Sequence, residues 1–196
     1  MPSWKFHKRW GKELLGYFNT DIDRLIDCRG HDLARRIGYE NLLRKQVSYV
    51  KRKYGKIGVY YYILHHILDT ADEQLLSILW LNIKSILFNT VDRRISIDVV
   101  VDQMIRTIDY ECNHLYQYAP KLRTVFNDRD VILLLIYDLI RTNRRKVYRK
   151  MYDYLIQLAV WNKNVASDLD SLIGSLDEIL RNLIHDLKNA ILRIKT

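Results

Sequence analysis

The sequence predicts an all-α protein, a single-domain bundle of about six or seven helices. Apolar residues recur at the three- and four-residue intervals of amphipathic helices, and no stretch alternates with the two-residue period of a strand. Only 2 prolines and 7 glycines occur, too few for the many tight turns of an all-β protein. With 196 residues and a composition that is 48% hydrophobic, the chain can bury a substantial core and is not intrinsically disordered.

The first part of the chain should contain two short helical segments and two longer ones. Residues 2–17 form an amphipathic segment, and Thr20 can cap a short helix. A further segment, residues 31–54, should end at Gly55, because glycine favours the left-handed conformation that follows many helices. A long helix is then expected over residues 56–88.

The middle of the chain should contain two more helices. One begins at Ser96 or Asp98. The other, residues 129–161, is capped by Asn127-Asp128. The first half of this second helix is apolar on all sides, which predicts a buried central helix.

The last helix, expected after a cap at Ser167, carries an apolar heptad pattern. Its repeat positions are Leu169, Ile173, Leu176, Leu180, Leu183, Leu187, Ala190 and Ile194. Such a pattern can form a coiled-coil seam, which would make the protein a homodimer through residues 167–195. It also suits a helix packed within its own chain, and the width of the apolar stripe favours this second interpretation.

Basic charge is concentrated near the N-terminus. The formal net charge is +9, yet residues 1–66 carry 14 of the 32 basic side chains and only 6 of the 23 acidic ones. The same stretch contains six of the seven glycines and four of the six histidines. We therefore divide the single domain, residues 1–196, into a basic region that could hold a site, residues 1–72, and a helical scaffold, residues 73–196.

The sequence indicates a cytoplasmic protein with no membrane partner. The N-terminus lacks the apolar core of a signal peptide, and the longest apolar run, residues 131–137, is far shorter than a membrane span. Two cysteines are too few for a disulfide scaffold. The richness in isoleucine, leucine, tyrosine and charged residues is typical of a thermophile.

A histidine and two aspartates share one flank of the long helix. His65, Asp69 and Asp72 are spaced by four and then three residues, which stacks them over successive turns beside the core-facing stripe. His66 and Glu73 should face water, so His65 is the histidine expected to function. The stripe itself comprises Ile57, Leu64, Leu68, Ala71 and Leu75.

An imidazole and carboxylates that converge on one helix face can hold a metal ion when a second segment completes the site. We expect His31 and Asp32 to form that segment and His7 to supply a further ligand. Nitrogen and oxygen ligands without thiolate suit Mn, Zn, Fe or Mg. The alternative is structural: a solvated His65–Asp69 pair, with Asp32 paired to a neighbouring arginine or capping a helix.

The order of these residues along the chain is similar to that of a known family. The chain resembles the HD superfamily of metal-dependent phosphohydrolases in carrying His7, then the doublet His31-Asp32, then Ile63-Leu64-His65-His66 with Asp69. The resemblance covers residues 7–72. It implies an all-helical fold and the hydrolysis of phosphate esters of nucleotides and related compounds. It also implies that His7, His31 and Asp32 ligate metal together with a later acid or histidine, and that Arg35 and Arg36 contact phosphate.

The predicted function is that of a metal-dependent phosphohydrolase or nuclease acting on a nucleotide or nucleic-acid phosphoester. A bound ion lowers the pKa of its water and supplies hydroxide near neutral pH. His65 and Asp69 would hold the ion, and Asp32 would bridge it or act as the base. Asp32, His65 and Asp69 are therefore the expected catalytic residues, and Asp72 is a further expected ligand.

Two basic clusters suggest nucleic acid as a partner. The first comprises Arg44, Lys45, Lys51, Arg52, Lys53 and Lys56. The second comprises Arg141, Arg144, Arg145, Lys146, Arg149 and Lys150. Basic side chains release counterions from phosphates, and nearby aromatic rings can stack on unpaired bases. The alternatives to an enzyme are therefore a non-catalytic helical protein that binds DNA or RNA, and a helical scaffolding protein whose charged faces are only solvated.

Overall fold

The structure is a computed structural model that describes residues 4–27, 39–89 and 94–194. Of these residues, 90% are helical and none lies in a strand, which confirms the all-α class and the helical bundle. Within the same residues, no helix combines the length and the apolar character needed to cross a membrane. The predicted site residues His31, Asp32, Arg35 and Arg36 lie outside the described residues.

The described residues form a series of α-helices. In chain order they are α1 (Trp4–Leu15), α2 (residues 20–27), α3 (Tyr39–Asn89), α4 (Ile97–Glu111), α5 (Pro120–Phe126), α6 (Arg129–Thr142), α7 (Arg144–Trp161), α8 (Lys163–Ser167) and α9 (Leu169–Ile194). A turn of 3-10 helix, Asn113–Leu115, precedes α5. The described part of the chain therefore contains more helices than the six or seven predicted. The short helices α5 and α8 are additional, and the single helix predicted over residues 129–161 is divided into α6 and α7.

The chain forms two compact units. The first comprises Met1–Ala71 with Ile108–Val125, and the second comprises Asp72–Thr107 with Phe126–Thr196. The single domain stays a prediction. In the first unit, the core is built on the middle of α3, which buries Tyr61, Tyr62, Ile63, Leu64, Ile67 and Leu68.

Helix α3 bends at Gly55, where the backbone has φ 69° and ψ −166°. Glycine adopts such a positive φ without the steric cost that a Cβ atom would bring. The bend agrees with the helix end predicted at Gly55. One residue of the predicted stripe differs, since Ile57, just after the bend, is 39% exposed instead of facing the core. The rest of the predicted stripe is buried as expected: Leu64, Leu68, Ala71 and Leu75.

In the second unit, α6 is the buried central helix that the sequence predicts. Its residues Ile132, Leu135, Ile136 and Leu139 have no exposed surface, and α6 packs against both α7 and α9. Helix α9 packs on α6 and α7 of its own chain, burying Leu176, Ile179, Leu180, Leu183, Leu187 and Ile191. This packing agrees with the interpretation of α9 as a bundle helix, and the homodimer stays a prediction.

Two helix boundaries in the second unit differ from the prediction. Asn143, with φ −113° and ψ 24°, separates α6 from α7. Its side chain donates a hydrogen bond of 3.0 Å to Asp72 Oδ1, which gives this residue a role outside a regular helix. Ser167 ends α8 instead of capping the last helix, and Asp168 is the residue before α9.

The cap predicted for α6 is present at Asp128. Its Oδ1 accepts hydrogen bonds from the backbone N–H groups of Asp130 (2.9 Å) and Val131 (3.4 Å). We expect Asp128→Ala to lower the free energy of unfolding by about 1 kcal/mol, measured by urea denaturation, because two backbone donors lose their acceptor. Asp128→Asn keeps an acceptor oxygen and should stay close to the original protein. An equal loss in both variants would contradict a capping role.

Candidate metal centre

Helix α1 brings His7 to α3 through a close contact at a glycine. The buried face of α1 consists of Phe6, His7, Trp10 and Gly11. A Cβ atom on Gly11 would lie 2.5 Å from Tyr61 Cε2, so the α1 backbone touches the Tyr61 ring directly. His7 lies one turn before Gly11, and His65 lies one turn after Tyr61. The same helix–helix contact therefore brings the two imidazoles together.

His7, His65 and Asp69 form the centre of the cluster. One ligand atom from each lies within 4.8 Å of the other two. Asp69 Oδ1 is 3.2 Å from His7 Nε2, and Asp69 Oδ2 is 3.3 Å from His65 Nε2. The two imidazole rings stack with centroids 3.7 Å apart and an angle of 12° between their planes. One carboxylate thus faces the Nε2 atoms of both histidines.

Two aspartates from α2 surround His65. Asp23 Oδ1 is 2.9 Å from His65 Nδ1 and also accepts a 2.8 Å hydrogen bond from the Tyr61 hydroxyl. Asp27 Oδ1 lies 3.5 Å from His65 Nε2, while Trp4 Nε1 donates a hydrogen bond to the other oxygen of Asp27. Because Asp23 accepts from Nδ1–H, it holds His65 in the orientation that turns Nε2 towards Asp69 and Asp27.

Asp23 and Asp27 are not among the site residues that the sequence predicts. They are spaced by four residues on one helix, as His65 and Asp69 are, so they share a face of α2. That spacing is the signal that could have identified them. Spacing alone does not assign the pair to the site, since nothing in the sequence aligns α2 with α3.

The cluster contains several buried polar atoms without hydrogen-bond partners among the described residues. They are His7 Nδ1, His7 Nε2, Asp23 Oδ2, Asp27 Oδ1, His65 Nε2 and Asp69 Oδ1. His7 and His65 are 1% and 0% exposed. A buried polar atom without a partner is costly and calls for an explanation, and a bound ion is one that suits imidazole nitrogens and a carboxylate oxygen within 4.8 Å of one another.

Comparison of the chain with protein-family models, with curated proteins and with solved structures finds no match. The chemistry of the cluster is therefore inferred from its own side chains.

Electrostatics couple the imidazoles to the carboxylates. Burial alone would lower the pKa of His65, but the adjacent carboxylates of Asp23, Asp27 and Asp69 raise that pKa to about 10. Burial alone would raise the pKa of Asp69, but the neighbouring His65 and His7 hold it below its usual value. The pKa of Asp27 is also lowered, mainly by His65. Without a metal ion, the cluster therefore holds a proton on His65 between ionised carboxylates.

Two residues beside the cluster differ from their predicted places. Asp72 does not join it: this buried carboxylate accepts a hydrogen bond from Asn143 and pairs with the ammonium group of Lys146. His66 does not face water, since its Nε2 is buried and its ring contacts Tyr62 edge-on at 4.7 Å. Burial and the neighbouring His65 lower the pKa of His66 to about 4, which keeps it neutral. Glu73 is exposed, as expected.

The two basic clusters differ in how their side chains are engaged. In the first, Arg44, Lys45, Lys51, Arg52, Lys53 and Lys56 are all exposed. In the second, Lys146 pairs with Asp72, Arg141 lies 3.2 Å from Asp138, and Arg144 lies over the Tyr148 ring at 5.5 Å. The exposed members of the second cluster on α7 include Arg145, Arg149 and Lys150. All six cations of the first cluster are thus exposed, whereas Lys146 of the second is engaged with a buried carboxylate.

Proposed function

We propose that the chain binds a divalent metal ion through His7, His65 and Asp69 and uses it to hydrolyse a phosphoester. The observation that carries this proposal is the close approach of the two oxygens of Asp69 to the two imidazoles, Oδ1 to His7 Nε2 and Oδ2 to His65 Nε2. Two ligands held about 2.0–2.1 Å from one ion at the tetrahedral angle lie roughly 3.3 Å apart. The two carboxylate-to-imidazole separations of 3.2 and 3.3 Å match that value.

The same distances argue against a purely structural ion pair. Charge-assisted N–H···O hydrogen bonds are usually about 2.7–2.9 Å long. The contact of His65 with Asp23 has that length, 2.9 Å. The contacts of Asp69 with both histidines are longer, and His7 Nε2, His65 Nε2 and Asp69 Oδ1 have no hydrogen-bond partner among the described residues. The cluster thus combines one true hydrogen bond that orients His65 with several lone pairs left for an ion.

The donor set favours a metal of borderline or hard character. Two imidazole nitrogens and one carboxylate, without thiolate, suit Zn, Mn or Fe better than a soft ion, and Mg is the least favoured because it prefers oxygen ligands. Asp27 Oδ1, buried without a partner and 3.5 Å from His65 Nε2, is a candidate fourth ligand. His31 and Asp32, which the resemblance to the HD superfamily implies as ligands, remain part of the proposal.

The proposed reaction is the addition of water to phosphorus. A bound ion would supply a water of lowered pKa. The oxygen of that water bonds to phosphorus, the ester P–O bond breaks, and the water's proton leaves with the departing alcohol. The excess of basic over acidic residues in residues 1–66 favours an anionic substrate such as a phosphoester. In keeping with the resemblance, Arg35 and Arg36 are the proposed phosphate contacts.

Metal content and hydrolysis provide the test. The purified protein should carry metal in a fixed stoichiometry and hydrolyse p-nitrophenyl phosphate or bis(p-nitrophenyl) phosphate with added Mn²⁺ or Zn²⁺. His65→Ala and Asp69→Asn should lose both metal and activity by about 100-fold or more, because each removes a ligand. His185→Ala is the control, since His185 is exposed on α9. Metal-free protein that acquires neither metal nor activity would overturn the proposal.

A further inference from the structure

The first arm of α3, which is the part before the bend at Gly55, contains several basic residues and only one acidic residue, Glu40. Between Glu40 and Asp69 the sequence has six basic residues and no acidic one. All six basic side chains are exposed. Glu40 is exposed and its carboxylate lies 3.9 Å from the guanidinium group of Arg44. An exposed ion pair at this distance is weak, so Glu40 neutralises little of the positive charge.

Several of these side chains share one face of the helix. Positions 44, 45, 48, 49 and 52 recur at the helical period over two turns, and they line an open groove of about 350 Å³. We call this surface the basic face; its residues are Arg44, Lys45, Ser48, Tyr49 and Arg52. The opposite face of the same arm buries Leu43, Val47 and Val50 in the core. This packing holds the helix that carries the basic face in place.

An aromatic ring lies within the positive charge. Tyr49 is 40% exposed, although large aromatic side chains are usually buried when a core can take them. The ammonium group of Lys53 lies 5.8 Å from the centre of the Tyr49 ring and 5.0 Å from that of Tyr54. An exposed ring flanked by cations is the combination that binds unpaired bases and their phosphates together.

We propose that the basic face binds single-stranded nucleic acid, with Arg44, Lys45 and Arg52 on phosphates and Tyr49 stacked on a base. The nine residues from Arg44 to Arg52 span about 12 Å along the helix, enough for more than one phosphate of a strand. A membrane surface is disfavoured because the apolar residues of this arm are buried in the core and are not available for insertion. This inference does not depend on the metal centre.

Binding is measured by the fluorescence anisotropy of labelled oligothymidylate and oligouridylate, in the presence of EDTA so that hydrolysis plays no part. Affinity should fall steeply between about 50 and 200 mM salt. The triple variant Arg44→Gln, Lys45→Gln, Arg52→Gln should reduce the slope of log K against log salt by about 2, because each phosphate contact on a single strand contributes about 0.7. A matched triple variant on α7, Arg145→Gln, Arg149→Gln, Lys150→Gln, should leave the slope unchanged.

The proposed stacking of a base on Tyr49 is tested by a variant of Tyr49 and a control variant of another exposed tyrosine. Tyr49→Ala should weaken binding by about tenfold through loss of stacking. Tyr110→Ala removes a more exposed ring, 81% exposed on α4, and should have no effect. Absence of binding at low salt would overturn the inference. So would equal losses in the two triple variants, or tighter binding to phosphatidylserine-containing vesicles than to either oligonucleotide.

Discussion

Addition of Mn²⁺ or Zn²⁺ should raise the melting temperature of the protein by about 5–10 °C when the free ion exceeds its dissociation constant about 100-fold. An ion bound only by the folded protein stabilises it by about 2.7 kcal/mol at that excess. For a chain of this size, each kcal/mol shifts the melting temperature by about 2–4 °C. The ligands come from α1 and α3, which are separated along the sequence, so the unfolded chain offers no comparable site.

Variants separate ligation from general effects on stability. His65→Ala should abolish the metal-induced shift, whatever its own effect on the metal-free melting temperature, because it removes the ligand that faces both Asp69 and Asp27. Asp23→Ala keeps all three proposed ligands but removes the acceptor that orients His65, so about 10–100-fold more metal should be needed for the same shift. His185→Ala should respond as the unmodified protein does. A full shift in His65→Ala would rule out this site.

The shift should also depend on pH. The three adjacent carboxylates outweigh burial and raise the pKa of His65 from 6.5 to about 10. A folded-state pKa above the unfolded value means that the proton stabilises the fold fully below pH 6.5 and progressively less as pH rises towards 10. A bound ion replaces that proton. The metal-induced shift should therefore be larger at about pH 8 than at about pH 7, and a shift that decreases over this range would contradict ligation by His65.

The sequence predicts best those features that depend on a single helix. The spacing of His65 and Asp69 places them on one turn of α3, and the bend at Gly55 follows from the conformational freedom of glycine. Asp23 and Asp27 could not be linked to His65 in the same way, because that contact depends on how α2 packs against α3. Helix period describes a face, but it does not specify which other helix covers that face.

Buried polar residues account for the other differences. Asp72 has the helical spacing of a ligand, but its charge is satisfied by Lys146 and Asn143, more than 70 positions further along the chain. The same contact gives Asn143 its place between α6 and α7, where periodicity predicted one continuous helix. The helical period describes one helix at a time, whereas the partners of a buried carboxylate can come from any part of the chain that the fold brings near it.

Gly11→Ala should lower the free energy of unfolding by about 1–3 kcal/mol, although alanine is the better helix former by about 1 kcal/mol. The added Cβ would lie 2.5 Å from Tyr61 Cε2 and 2.6 Å from the backbone oxygen of Tyr17. The second contact is with backbone, which cannot move aside as a flexible side chain can. The melting temperature should fall by about 2–10 °C, measured by circular dichroism.

Gly174→Ala is the matched control for that substitution. Gly174 also lies inside a helix, but a Cβ there meets nothing within 4 Å, so helix propensity alone should stabilise the protein by up to about 1 kcal/mol. The opposite signs of the two substitutions would show that the loss at Gly11 comes from the contact between α1 and α3. Because Tyr61 also donates to Asp23, which holds His65, Gly11→Ala should weaken metal binding as well. A destabilised Gly11→Ala variant with undiminished metal affinity would separate the helix contact from the metal centre.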